Sequence, residues 1–219
     1  MSDGATANAE VSARRGALFI VSGPSGSGKS SLSDWALGAM PGLELAVSWT
    51  TRARRGDERD GVHYHFVSAD EFERVVAEDG FAEWAEVHGY RYGTPRDEVD
   101  RRVAAGIDVL LDIDVQGAAQ IKRRYPDAIA TFLLPPDRAT LVRRLTGRGT
   151  DSDEVVRARI AGACAEVREL PNYDYCIVNR ELEHTFDAFR SVVEAARHGV
   201  ARLDDAEVER LVASFEGER

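Results

Sequence analysis

Ala17-Leu18-Phe19-Ile20-Val21-Ser22-Gly23-Pro24-Ser25-Gly26-Ser27-Gly28-Lys29-Ser30-Ser31 runs from an unbroken apolar segment into a glycine- and serine-rich turn. A helical stretch then begins at Lys29 and stops at Pro41-Gly42. A continuous apolar run of this length is the mark of a strand buried on both faces of a parallel sheet. Two glycines separated by four residues, then lysine and a hydroxyl residue, make a phosphate-binding loop (P-loop). The glycines let backbone N–H groups wrap phosphate oxygens, and the start of the helix adds its positive dipole end. Lys29 can reach the β- and γ-phosphates of a nucleotide, and the Ser30 hydroxyl can ligate Mg²⁺.

The remainder of the chain keeps the same rhythm. Val109 to Ile113 and Ala128 to Leu134 are further apolar strands, Tyr175 to Val178 is a last one, and helical patterns cover Asp137 to Thr146, Asp153 to Leu170 and about Glu181 to His198. Strands alternating with helices predict an α/β fold, a P-loop NTPase core with a parallel sheet flanked by helices. The block 43–92 breaks the alternation with several short strands and one helix capped by Ser68 and Glu71. It reads as an inserted small mixed α/β lobe between core segments 16–42 and 93–198. Thr94-Pro95 is expected to cap the next helix. Residues 1–15 are expected to be disordered, and 199–219 form an acidic amphipathic tail.

Composition narrows the function. The 219 residues carry 38 acidic and 28 basic side chains, a net charge of −10, which argues against bulk nucleic-acid binding. No apolar run approaches the roughly 18 residues of a membrane span. Cys164 and Cys176 are too few for a disulfide framework and are expected to be reduced packing residues of a cytoplasmic protein. Only Lys29 and Lys122 are lysines, so lysine at the P-loop points to a need for a compact ammonium.

A P-loop does not by itself choose between a GTPase, an ATPase and a small-molecule kinase. Neither lysine lies in the Asn-Lys-x-Asp motif of GTPases, and the Asp114-Val115-Gln116-Gly117 match to a switch pattern is too common to carry weight. Asp112 and Asp114 close the strand that starts at Val109. A carboxylate there can hold hydrated Mg²⁺ or a substrate hydroxyl, or one of the two can cap the following helix. In the inserted block, Arg52 and Arg55 form a fork suited to a dianionic phosphate, and Tyr64 and Tyr92 can each donate a hydroxyl to it. Glu83 sits in the apolar strand Phe81-Ala82-Glu83-Trp84. One carboxylate there can accept the adjacent N1–H and N2 amino donors of guanine, whereas adenine would leave it unpaired.

From about Gly16 to His198 the chain resembles bacterial guanylate kinases. The resemblance rests on ordered blocks: the P-loop from Ser22, Val47-Ser48 with Thr50-Thr51-Arg52, Asp60 to Phe66, Glu83 to Gly89, Tyr92-Gly93-Thr94, Asp112 to Gly117, Gly147 to Thr150, and Tyr173-Asp174-Tyr175 with Val178-Asn179. It implies a Mg²⁺-dependent transfer of the ATP γ-phosphate to GMP or dGMP. GMP is then expected at Ser48, Glu83 and Thr94 around the base, at Arg52, Arg55, Tyr64 and Tyr92 around the phosphate, and near Asp112 and Asp114. ATP is expected on Gly23, Pro24, Ser25, Gly26, Ser27, Gly28, Lys29, Ser30 and Ser31, with Asn179 near adenine and Mg²⁺ at Ser30, Asp112 and Asp114, partly through water. Arg144, Arg148 and Arg159 are expected to join Lys29 and Arg52 as catalytic cations, Arg148 and Arg159 from a short lid at about 147–159. Two rival readings are a non-catalytic module of the same fold and a kinase for another nucleoside monophosphate. Retention of Lys29, Ser30, Arg52 and Arg55 speaks against the first, and Glu83 with Ser48 against the second. A homo-oligomer is left open.

Overall fold

The computed structural model describes residues 14–87, 89–146 and 153–216, the side chains of 153–156 and 201 excepted. Its core is a five-stranded parallel sheet of β1 (Leu18–Ser22), β2 (Leu43–Leu45), β7 (Asp108–Asp112), β8 (Ile129–Leu134) and β9 (Tyr175–Val178), in the order β2-β7-β1-β8-β9. Alternate β1 residues face opposite ways. Leu18 and Ile20 pack with Val109, Leu111, Val99, Val103, Ala118 and Ile121, whereas Phe19 and Val21 pack with Leu110, Leu133, Leu32, Ala36, Phe189 and Val193. Helices α3 (Arg96–Ala104) and α4 (Val115–Arg124) therefore cover one face, and α1 (Lys29–Ala39) and α7 (Leu182–Arg197) cover the other. This two-sided burial is why the strands read as apolar runs without alternation.

β1 lies between β7 and β8, the strand that leaves in each direction, so its carboxyl end opens at the crevice where ligands bind in doubly wound sheets. A second sheet, β4-β3-β6-β5, is built from β3 (Trp49–Thr50), β4 (His65–Phe66), β5 (Phe81–Val87) and β6 (Tyr90–Pro95), with α2 (Ala69–Ala77) between β4 and β5. Ser68 caps α2 as expected, its hydroxyl accepting from the Glu71 N–H at 3.1 Å. Helices α5 (Arg138–Thr146), α6 (Asp153–Val167) and α8 (Asp205–Glu216), with short 3-10 turns at Leu170–Asn172 and Val200–Arg202, complete the described elements.

Several local expectations change. The run Leu43 to Trp49 is two strands. Leu43–Leu45 pairs with β7 in the core sheet, and only Trp49–Thr50 belongs to the lobe, so a lobe boundary at 43 is too early. The lobe sheet also extends to Pro95, past the expected boundary at 92. Val62 to Val67 shrinks to His65–Phe66, because the preceding residues turn, with Gly61 N–H donating to the Tyr64 carbonyl and Phe66 N–H to Asp60. Pro95 rather than Thr94 stands at the cap of α3, which has no side-chain cap.

Arg14 and Arg15 do not belong to a loose extension. Arg14 forks onto buried Asp108 at 3.1 and 3.0 Å, and Arg15 N–H donates to the Arg202 carbonyl. Both cysteines are exposed free thiols, not packing residues. Among the described residues no helix is long and apolar enough to cross a membrane.

Candidate functional site

The loop after β1 enters α1 through Gly28, whose φ of 104° suits glycine. A side chain at Gly28 would also collide with the Asn179 amide. No side chain caps α1 and its first turn holds no acidic residue, so its leading N–H groups face a cleft of about 200 Å³. Ser25, Gly26, Gly28, Lys29, Ser30 and Ser31 line that cleft. Gly23, Pro24 and Ser27 do not line it. Lys29 Nζ donates to the Gly23 carbonyl at 2.6 Å, and Ser27 N–H closes a turn onto the Pro24 carbonyl. The Ser27 hydroxyl is buried and makes no hydrogen bond among the described residues.

A second cleft of about 300 Å³ adjoins the first, lined by Gly26, Gly28, Ser31, Arg144, Asn179 and Leu182. Asn179 is buried and committed at both ends. Its Nδ2 donates to the Ser27 carbonyl at 2.8 Å, and its Oδ1 accepts from Thr185 at 3.2 Å. Its amide therefore braces the P-loop against α7 through one Nδ2 hydrogen and one Oδ1 lone pair. Arg144 is likewise tied to the loop, donating to the Gly26, Ser27 and Asn179 carbonyls at 3.2–3.3 Å. It borders the second cleft instead of arching over the first. Arg148 lies outside the described residues, and Arg159 is half-buried on α6.

The two strand-end aspartates part company. Asp112 stays with the P-loop, accepting from Ser33 at 3.3 Å. Burial raises its carboxyl above the usual range, while the Lys29 charge and the Ser33 bond pull it back. Asp114 caps α4, its Oδ1 accepting from Gly117 N–H at 2.8 Å, as in the capping alternative. Burial also raises the Glu166 carboxyl of α6, near enough to Lys29 and Asp114 to feel both charges. Glu166 was not singled out from the sequence, although it lies seven residues after Arg159 and hence on the same helix face.

Strand register brings the lobe's polar residues together. Glu83 and Thr94 face each other across β5 and β6, next to an irregularity between Phe81 and Glu83. Glu83 is only 4% exposed, and its Oε1 accepts from the Thr94 hydroxyl at 2.7 Å. Thr94 in turn lies 3.2 Å from the Ser48 hydroxyl. The Thr94 side chain is thus engaged by Glu83, which leaves α3 without the expected cap. Burial pushes the Glu83 carboxyl up to about 7, against the Thr94 bond and with help from the Asp114 charge. Gly117 packs against Glu83 so closely that any side chain there would press on the carboxylate.

Arg52, at the end of β3, is 6% exposed and lies over the Tyr64 and Phe66 rings. Its Nε donates to the Tyr92 hydroxyl at 3.2 Å. Tyr64 packs edge-on against Tyr92, and burial raises its hydroxyl pKa, with Asp112 near enough to add to the effect. The structure thus gathers Arg52, Tyr64 and Tyr92 on the lobe, with Tyr64 near enough to the core's Asp112 to feel its charge. The Arg55 side chain is exposed on the loop beyond, beside exposed Arg54.

The guanylate kinase family model matches residues 15–196 of this chain. A guanylate kinase from Anaeromyxobacter dehalogenans is 51% identical over 198 residues, which cover 90% of this chain and 88% of that protein. One from Syntrophotalea carbinolica is 48% identical over 190 residues, covering 87% of this chain and 90% of that protein. The crystal structure of guanylate kinase from Anaplasma phagocytophilum superposes with a TM-score of 0.78 at 31% identity, covering 94% of this chain and 98% of that one. The chain belongs to the guanylate kinase family.

Proposed function

We propose that the protein transfers the γ-phosphoryl group of ATP to GMP and dGMP, with the lobe holding the acceptor nucleotide and the P-loop the donor. The observation that carries the acceptor's identity is Glu83, a buried carboxylate on the lobe sheet that accepts from the Thr94 hydroxyl. Guanine supplies two adjacent donors to such a group. Adenine presents a ring acceptor there and would leave a buried carboxylate unpaired, at a cost of about 1–3 kcal/mol or more.

Arg52, with Tyr64 and Tyr92, would hold the GMP phosphate, and exposed Arg55 would close on it. In the transfer step a GMP phosphate oxygen bonds to the γ-phosphorus as the bond to the β,γ-bridging oxygen breaks, and ADP leaves with that oxygen's charge. No side chain becomes a nucleophile. Lys29 would follow the β- and γ-phosphate charge, and the free N–H groups of α1 would hold the phosphate chain against it. Ser30 in the phosphate cleft and Asp112 beside Lys29 are oxygen donors of the kind Mg²⁺ takes while keeping most of its water. A Mg²⁺ bound with ATP would supply further charge neutralisation there. Asn179 and Arg144 would serve the donor side by fixing the loop that forms its cleft.

The test is a coupled ADP-release assay with ATP and Mg²⁺, offering GMP, dGMP, AMP and UMP to the full chain and to Glu83→Gln. Turnover with GMP and dGMP only, weakened at least tenfold in kcat/KM by the substitution (about 1.4 kcal/mol or more), is the expected result. Equal turnover of AMP, or an unimpaired variant, would remove Glu83 as the base reader.

A further inference from the structure

Glu58 stands on the loop between β3 and β4 and has no role so far. Its Oε2 and Oε1 accept from Arg52 Nη1 and Nη2 at 3.0 and 2.7 Å, a two-pronged ion pair. The same Oε2 accepts from the Arg55 backbone N–H at 2.8 Å, and Glu58 N–H returns a bond to the Arg55 carbonyl at 3.0 Å. One carboxylate therefore clamps the guanidinium of Arg52 and closes the tight turn from which Arg55 projects. The Arg52 guanidinium lowers the Glu58 carboxyl from its ordinary value, which favours the charged form of the clamp.

The geometry of the fork is informative. Arg52 Nη1 uses both hydrogens, on Glu58 and on the Ala53 carbonyl at 2.7 Å, and Nε uses its own on Tyr92. Nη2 gives one hydrogen to Glu58. Of the five N–H groups, the second on Nη2 is then the one without an acceptor among the described residues. A planar guanidinium places it on the Nε edge, beside the Tyr92 hydroxyl. That hydroxyl accepts from Nε and so keeps its own proton to donate.

We propose that Glu58 is the positioning residue of the GMP phosphate site: it locks Arg52 so that one Nη2 hydrogen and the Tyr92 hydroxyl face the incoming phosphate together. The inference rests on the assignment of Arg52 to that phosphate. Glu58 adds a negative charge near a dianion, and it offsets that by removing the rotational freedom of a long side chain before GMP arrives. Its loss should therefore weaken GMP alone.

Steady-state kinetics on the full chain, comparing E58A, E58Q, R52K and R52K/E58A, tests this. In E58A the KM for GMP should rise roughly ten- to a hundredfold, the range of a charged hydrogen-bonded pair, with the KM for ATP within about twofold of the original. E58Q keeps one acceptor and should show a smaller rise of several fold, which decides the matter if E58A does not fold. In R52K, where no fork exists to be held, adding E58A should change little. A fall in the GMP KM of E58A or E58Q would mean that Glu58 competes for the phosphate's seat, and would overturn the proposal. So would parallel rises in both KM values with a lowered unfolding temperature, or an equal E58A effect in the R52K background. If R52K alone leaves the GMP KM unchanged, the assignment of Arg52 fails first and takes the inference with it.

Discussion

At the scale of single residues, Glu83, the proposed base reader, is a costly group to bury. Burial lifts its carboxyl from 4.5 to about 7, so near neutrality a proton would compete with guanine, in the proposed site, for the same oxygens. Guanine's two donors need the ionised form. Affinity for guanosine, which lacks a titrating phosphate, should rise from pH 6 to pH 8, and calorimetry giving a flat profile would show that Glu83 does not face the base. The same shift fixes the sign of a stability effect. The folded protein binds the Glu83 proton more tightly than the unfolded chain, so this group's contribution to stability declines as pH rises from about 4.5 to 7 and stays low above. Glu83→Gln removes the burial penalty of the charge, up to about 3 kcal/mol. It should raise the unfolding temperature at pH 8 but not at pH 5, while the enzyme loses GMP. A lower unfolding temperature at pH 8 would contradict the cause assigned to the shift.

At the scale of elements, the lobe is joined to the core where α4 meets β5. β5 is an edge strand of the lobe sheet, and Gln120 of α4 continues its ladder with a side chain: Oε1 accepts from Trp84 N–H at 3.2 Å and Nε2 donates to the Trp84 carbonyl at 2.7 Å. An amide that matches a backbone pair in this way covers an open edge. It also holds Glu83, the preceding residue, over the start of α4, where Gly117 leaves room for its carboxylate. Gln120→Ala should cost about 1–2 kcal/mol through two lost hydrogen bonds. It should also speed hydrogen exchange at the Trp84 amide ahead of the rest of β5, and unchanged exchange there would show that the joint lies elsewhere.

At the scale of the whole molecule, the proposed donor and acceptor sites sit on different sheets, so phosphoryl transfer between them would need the two brought together with water excluded. Solution scattering should report a smaller radius of gyration with GMP and a non-hydrolysable ATP analogue together than with neither, and identical curves would remove closure from the mechanism. The far end of the core is pinned against such motion. Buried Asp108 receives Arg14 and Arg197 together with the Ala17 N–H, tying the first described residues, the sheet and α7 at one point.

Much of this protein was legible in order along the chain. The apolar runs, the P-loop spacing, the Ser68 cap and the grouping of Arg52, Tyr64, Tyr92 and Glu83 in one inserted block depend on residue type and local spacing, and local physics acts the same way wherever the segment ends up. Spacing could not say which sheet would take Leu43–Leu45, since a short apolar strand fits either. Nor could it choose between Asp112 and Asp114, or show that Thr94, Asn179 and Arg144 already have partners. Glu58 and Gln120 read as ordinary polar residues until the fold sets them against Arg52 and Trp84. A polar side chain has few hydrogen-bonding groups, and which partners they meet is decided by residues distant in sequence. That allocation belongs to the tertiary structure alone.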